Sequence, residues 1–254
     1  MSYTMKVISS RQNPEIIEVT RLKQKKYRDQ RGHFYAEGIR TCSTLVQSGI
    51  RPVMLYVTEH GHQEYVRYRV QAPVTLVTDM VMQKLSDAQE PSGIVGVFAK
   101  PEQPLWESIT SAIVLAEISD PGNMGTLIRS CAAFNAQSVI VIGGADVWHP
   151  KVVQASAGTH GYVAILSTTW PELMAHKPHD SALLALVADH GIAIDAYKQS
   201  GNALFVVGNE AHGIPEAWVA QCDERIMITM PGNTESLNAA VAGSIALYEF
   251  FGRK

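Results

Sequence analysis

Residues Ile226–Phe251 read IMITMPGNTESLNAAVAGSIALYEFF. The segment opens as a short apolar strand, Ile226–Met230. It crosses Pro231-Gly232-Asn233, residue types that favour a turn. It ends as an apolar helix from Leu237 to Phe251. Ser236 stands where an N-cap belongs, and Glu235 lies near the positive end of the helix dipole. Read alone, this is a strand–loop–helix unit that closes an α/β core. The loop is more polar than closure requires. Asn233, Thr234, Ser236 and Asn238 crowd a helix start beside a strand end, where open α/β sheets bind ligands.

Two upstream stretches repeat the plan. Ile113–Asn135 reads IVLAEISDPGNMGTLIRSCAAFN, and Leu204–Trp218 reads LFVVGNEAHGIPEAW. Each has an apolar strand, a loop of Gly, Asn and acidic residues, then a helix. Three such loops in one domain can line one pocket. Further apolar strands are expected at Ser138–Ile142, Val163–Leu166 and Leu183–Ala188. Near-continuous apolar strands separated by helices imply a buried parallel sheet. The Pro-bounded segment Lys100–Pro104 reads as a linker and divides the chain into domains 1–103 and 104–254. In the first, strands are expected at Val53–Thr58, Val74–Val77 and Ile94–Ala99, and helices at Ile39–Ser48, Gln63–Arg69 and Met80–Leu85. The stretch His33–Gly38 leads into the first of these helices. The first domain is thus a small α/β unit.

Composition narrows the class. The chain has 254 residues, 46% of them hydrophobic, as in ordinary globular proteins. No apolar run reaches the ~18–20 residues that span a bilayer, and the first residues carry no apolar signal core. A cytoplasmic protein is the expectation. Cys42, Cys131 and Cys222 are odd in number and far apart, so they read as reduced thiols rather than a disulfide framework. The net charge is -3, but it is uneven. Residues 1–51 carry ten Lys and Arg (Lys6 among them) against four acids, or +6, leaving -9 for the remainder. A basic region on an acidic body suggests a local polyanion contact. Arg21, Lys25 and Arg28 fall at i, i+4, i+7 of an expected helix that Asn13-Pro14 starts. They are candidate RNA phosphate contacts; a solvated charged face is the plainer alternative.

The three loops together resemble the signature motifs of the SpoU/TrmH-type RNA 2'-O-ribose methyltransferases of the SPOUT superfamily. The first matches as Asp120-Pro-Gly-Asn123-x-Gly125-x-x-x-Arg129, the second as Gly208-Asn209-Glu210-x-x-Gly213, and the third as Ser236-Leu237-Asn238 after Gly232. They occur in the family's order and spacing. The resemblance covers residues 105–254 closely. The first domain resembles, more loosely, the ribosomal-protein-like substrate-binding domain of such enzymes, including its Asn-Pro start and the Phe34-x-x-Glu37-Gly38 stretch.

The resemblance implies a C-terminal SPOUT-type parallel sheet with a trefoil knot, S-adenosylmethionine as methyl donor, a homodimer, and structured RNA as substrate, with ribosomal RNA ahead of transfer RNA. Donor-pocket residues carried over by position are Gly208, Ile228 and Leu237, with Asn209 and Met230 as neighbours. The implied catalytic centre comprises Arg129, Asn123, Glu210, Ser236 and Asn238, with Arg129 contributed to the partner's donor pocket. Methyl transfer needs in-line placement of an oxygen and a methyl carbon, and help in removing a proton. A guanidinium stays protonated, so a phosphate clamp or a water-mediated role suits Arg129 as well as proton acceptance. Glu210 is expected to orient Asn123 or Arg129. Gln154 departs from the family, which commonly has Arg there. Rival readings are an RNA-binding module without catalysis and a base methyltransferase on the same scaffold. The histidines show no metal-ligand spacing, so no metal is expected. Nicotinamide and P-loop fingerprints are absent.

Overall fold

The structure, a computed structural model, describes residues 7–198 and 201–253. Lys6, counted in the basic region, lies outside them. Contacts divide the chain into two units. One runs to Pro101 and includes Trp148–Gly161; the other comprises Glu102–Val147 and Tyr162 onward. Trp148–Gly161 comes from the middle of the stretch read as the second domain, yet packs into the first unit.

The first unit contains β1 (Val7–Ile8), α1 (Pro14–Arg21), α2 (Lys25–Arg31), β2 (His33–Glu37), α3 (Ile39–Gln47), β3 (Pro52–Val57), α4 (Glu59–Tyr68), β4 (Val74–Val77), α5 (Asp79–Leu85) and β5 (Ile94–Ala99). Its sheet order is β1-β4-β3-β5-β2. The period-2 alternation of strand side chains fills both faces. Tyr35, Tyr56, Val95 and Val97 join Ile16, Val19 and Met82 on one side. Phe34, Ala36, Leu55, Val57, Ile94 and Phe98 join Cys42 and Leu45 on the other. Burial pushes the Cys42 thiol up to about 12, as expected of an inert core cysteine.

The single basic helix expected before His33 is two helices. Asn13 caps α1, accepting a hydrogen bond from the Glu15 amide at 2.8 Å, with Pro14 in the first turn. The chain turns at Leu22–Gln24, and α2 follows. Arg21, Lys25 and Arg28 therefore do not form the expected face. Arg28 is 1% exposed, and its guanidinium donates to the carbonyls of Leu22 and Lys23, both at 2.8 Å. It closes the turn from within. Arg21 pairs with Glu18, and Lys25 pairs with Asp29 at 2.5 Å. The stretch His33–Glu37 is also a strand, held antiparallel to β5.

The second unit begins with β6 (Ala112–Ala116), α6 (Pro121–Ala133) and β7 (Ser138–Ile142). After α7 (Pro150–Ala155), which belongs to the first unit, it continues with β8 (Ala164–Thr168), α8 (Trp170–His176), β9 (Ser181–Val187), β10 (Ile192–Ala193), β11 (Asn202–Val207), α9 (Glu216–Val219), β12 (Glu224–Met227) and α10 (Ala239–Leu247). All seven strands are parallel, in the order β10-β12-β9-β11-β6-β7-β8. Every residue of β6 and β7 is buried, which explains their unbroken apolar sequence. From β6 the chain runs outward through β7 and β8, then crosses to β9 beyond β11. Such a reversal opens a crevice at the carboxyl ends of the strands.

The last helix differs from its sequence reading at both ends. Its N-cap is Asn238 rather than Ser236, with the Asn238 side-chain oxygen accepting from the amides of Ala240 (2.9 Å) and Val241 (3.2 Å). After Leu247 the helix widens into a π turn, Tyr248–Gly252. Gly243 allows α10 to lie close on α6: a Cβ there would sit 2.4 Å from the Leu127 side chain.

Candidate active site

The second and third motif loops, with the end of β9, line a cavity of about 460 Å³ at the carboxyl ends of β9, β11 and β12, within the ~300–1,000 Å³ typical of small-molecule sites. The first loop, after β6, is bonded to them but is not part of the lining among the described residues. Gly208, Asn209 and Glu210 line the cavity from the second loop. Ile228, Met230, Ser236, Leu237 and Asn238 line it from the third. All five residues assigned to the donor pocket are thus together. Leu186–Ala188, at the end of β9, completes the wall. Sequence reading placed a strand there but gave it no site role, since an apolar strand end carries no chemical mark.

A chain of hydrogen bonds crosses the three loops. Asn238 Nδ2 donates to Asn123 Oδ1 at 3.0 Å, and Asn123 Nδ2 donates to Glu210 Oε1 at 2.9 Å. Glu210 also accepts from the amides of Ser119 and Asp120, each at 3.1 Å. Its carboxylate thus orients Asn123 and anchors the first loop. Asp120 is the N-cap of α6 and accepts from the Asn123 amide at 2.8 Å, so Asn123 sits inside the first turn.

Asn209 does more than border the pocket. Its Nδ2 donates to the Glu117 carbonyl (2.8 Å) and Ser119 Oγ (3.0 Å), while its Oδ1 accepts from the amides of Ala211 and His212. It sews the second loop to the first and folds its own loop. Glu117 adopts φ 59°, a left-handed conformation costly for a non-glycine residue, and its carbonyl meets Asn209. The Asn209 role is visible in sequence only as an Asn in a Gly-rich loop; the Glu117 strain has no sequence signal.

Arg129 stands apart. It lies two turns along α6, exposed, outside the cavity lining, and it makes no hydrogen bond or ion pair among the described residues.

Burial works to raise the Glu210 pKa, but hydrogen bonds from the Asn123 side chain and from backbone amides outweigh it and hold the carboxyl below its usual 4.5. A depressed folded-state pKa stabilises fully above the unfolded value and loses that stabilisation as pH falls through the folded one. Glu210→Gln, which cannot accept all three bonds, is expected to cost about 1 kcal/mol at pH 7, the low end for such bonds because the group is exposed. The gap from wild type should shrink as pH falls below 4.5. Urea unfolding at pH 7 and at acid pH checks this; a pH-independent gap would contradict the carboxylate's role.

The parallel sheet, the strand-end cavity and the bonded motif loops define a SPOUT-type methyltransferase domain. More particularly, the chain belongs to the SpoU rRNA Methylase family, whose model matches residues 110–248. Residues 13–96 match the MRM3-like substrate binding domain. The chain is 25% identical to the 23S rRNA (guanosine(2553)-2'-O)-methyltransferase RlmP of Bacillus subtilis, over 98% of this chain and 100% of that protein. Among solved structures, an RNA 2'-O ribose methyltransferase superposes with a TM-score of 0.79 at 30% identity, covering 96% of this chain and 97% of that one. The SpoU methyltransferase AviRb of Streptomyces viridochromogenes, in complex with AdoMet, superposes with a TM-score of 0.81 at 27% identity, covering 94% and 97%. Among the described residues no helix is long and apolar enough to cross a membrane, and no cluster of His, Cys, Asp or Glu could hold a metal ion.

Proposed function

We propose that this protein methylates a ribose 2'-hydroxyl of ribosomal RNA, with S-adenosylmethionine as donor. The observation that carries this is the bonded chain Asn238–Asn123–Glu210, which joins the three motif loops at the mouth of the cavity. The cavity suits the donor. Leu186, Ile228, Met230 and Leu237 offer apolar walls for a purine, and the loop backbones offer polar groups for a ribose and an amino acid. When bound, S-adenosylmethionine supplies an electrophilic methyl group on a sulfonium. The chain's own task is positional. Asn123, its side chain held by two partners, and Asn238, held by three, set the mouth where the acceptor ribose docks. Arg129 supplies a fixed positive charge for the RNA phosphate and for the oxygen as its proton leaves to water.

The reading includes a homodimer. Val241, Ile245 and Tyr248 lie at i, i+4, i+7 of the last helix and are 48%, 36% and 48% exposed. An apolar ridge of this kind suits a partner surface. It lies on α10, which packs on α6, the helix that carries Arg129. Arg129 lies outside the cavity of its own chain, which fits its delivery to a partner's. Ile245→Asp is expected to give monomers in sedimentation with methyl transfer lost; a dimer of unchanged stability would refute this interface. Three free cysteines fit the reducing cytoplasm, the location we assign.

The direct test is transfer of labelled methyl from S-adenosylmethionine to unmodified ribosomal RNA. Label at alkali-resistant linkages is the expected result. Label on bases, or donor binding with no transfer to any ribosomal RNA or precursor particle, would overturn the proposal.

A further inference from the structure

A second cavity, of about 430 Å³, lies wholly within the first unit. The matched substrate-binding domain lines most of it, through Lys23, Tyr35, Glu37, Asp87 and Glu90 among others. The rest comes from α7 and the residue before it, including Lys151 and Gln154. The packing of Trp148–Gly161 into this unit therefore completes a cavity that residues 13–96 alone leave open.

Its chemistry is specific. Three carboxylates face two lysines, an excess of one negative charge with histidine neutral. Asp87 is already engaged by Lys23 at 2.6 Å and the Tyr35 hydroxyl at 2.9 Å. Glu37 Oε1 accepts from Ser86 at 2.6 Å, and its other oxygen accepts no hydrogen bond among the described residues. Glu90 is exposed and makes no hydrogen bond or ion pair among the described residues. The same holds for the Gln154 side-chain amide. The groups free for a guest are thus carboxylate acceptors, one two-sided amide and Lys151.

An excess of negative charge disfavours phosphate. Three carboxylates disfavour an apolar guest. No metal cluster exists there among the described residues. What suits the lining is a flat group with adjacent N–H donors and a nearby acceptor, which a nucleobase edge provides. Unpaired RNA bases are commonly read in this way, by hydrogen bonds to their exposed edges. Gln154 fits this role, since a neutral amide can both donate and accept.

We propose that this cavity seats an unpaired base of the RNA substrate, guanine being the best match because N1–H and N2–H₂ present neighbouring donors to a carboxylate. The ligand class rests on the ribosomal RNA reading above, but the cavity can be tested apart from it. The full chain, saturated with S-adenosylmethionine to block the first cavity, is titrated calorimetrically with guanosine monophosphate, uridine monophosphate and inorganic phosphate. Guanosine monophosphate should bind more tightly than either of the others. Gln154→Ala, on an exposed helical position that tolerates Ala, and Glu90→Gln should each weaken it about five- to tenfold, the size of one or two hydrogen bonds. In methyl transfer, Gln154→Ala should raise the KM for RNA by a similar factor with kcat and donor affinity unchanged. Equal binding of the three probes, or binding indifferent to both substitutions, overturns the base site. If guanosine monophosphate binds as expected while no ribosomal RNA is methylated, the base site stands and the proposed activity fails. If methylation proceeds with an unchanged KM in Gln154→Ala, the activity stands and the base site fails.

Discussion

Arg129→Ala is expected to lower kcat by about 10²–10⁴-fold while leaving donor affinity and thermal stability unchanged, the range set by removing a positioned group that assists proton loss or a developing oxyanion. The separation of effects follows from where the residue sits. Arg129 is exposed and makes no hydrogen bond or ion pair among the described residues, so its loss breaks nothing in the fold. It is absent from the donor cavity, so donor binding should not register the change. Single-turnover transfer and calorimetry with S-adenosylmethionine measure the two quantities independently. Arg129→Lys should recover little, because an ammonium keeps the charge but lacks the fork that holds a phosphate bidentately. Near-wild-type transfer by Arg129→Ala would exclude it from the acceptor site. Mixing inactive Arg129→Ala with an inactive donor-pocket variant tests the dimer as well. If the arginine serves the partner's cavity, mixed dimers regain one working site and activity returns.

What the sequence displayed, and what it hid, follow from the range of the forces involved. The strands Val74–Val77 and Ile94–Ala99 were legible to the residue, because local burial writes itself into composition: the first alternates half-buried and buried positions, and the second is an apolar run buried at its first five residues. The residues that line the first cavity were legible through the second and third motif loops, since each loop carries its own Gly or Asn near the end of its own strand. Distant contacts were not. His33–Glu37 begins with His and ends with Glu, so it reads as loop; pairing with β5, some sixty residues away, makes it a strand. The basic helix broke at Leu22–Gln24 without a Gly or Pro to announce it, because the deciding contact is Arg28 turned inward onto backbone carbonyls. Cap identity failed for a related reason. Ser236 and Asn238 are both good N-caps, and the tie is broken by Asn123, 115 residues earlier, which fixes the Asn238 side chain. The implied knot has no periodic signature at all.

Gly208→Ala should weaken donor binding by about 10–100-fold, the equivalent of the ~1–3 kcal/mol that overpacking costs, and should lower the melting temperature. The cause is close packing of the loop on itself. A Cβ at Gly208 would sit 2.3 Å from both the Gly213 carbonyl carbon and the Ile214 nitrogen. Those atoms are backbone and cannot swing aside as a side-chain tip would. The loop is pinned besides, since Asn209 and Gly213 exchange both backbone hydrogen bonds, at 3.0 and 2.9 Å. Relief therefore requires breaking that bridge. Breaking it displaces Asn209, which joins the first loop to the second, and Glu210, which holds Asn123. One methyl group should thus damage the donor pocket and the acceptor mouth together, lowering donor affinity and kcat in the same variant. Gly232→Ala is the matched control, because a Cβ there meets nothing within 4 Å. It should bind donor and turn over as wild type does. Equal, mild effects from the two substitutions would show that the second loop yields freely, and would remove the bridge from the account of how this site is held.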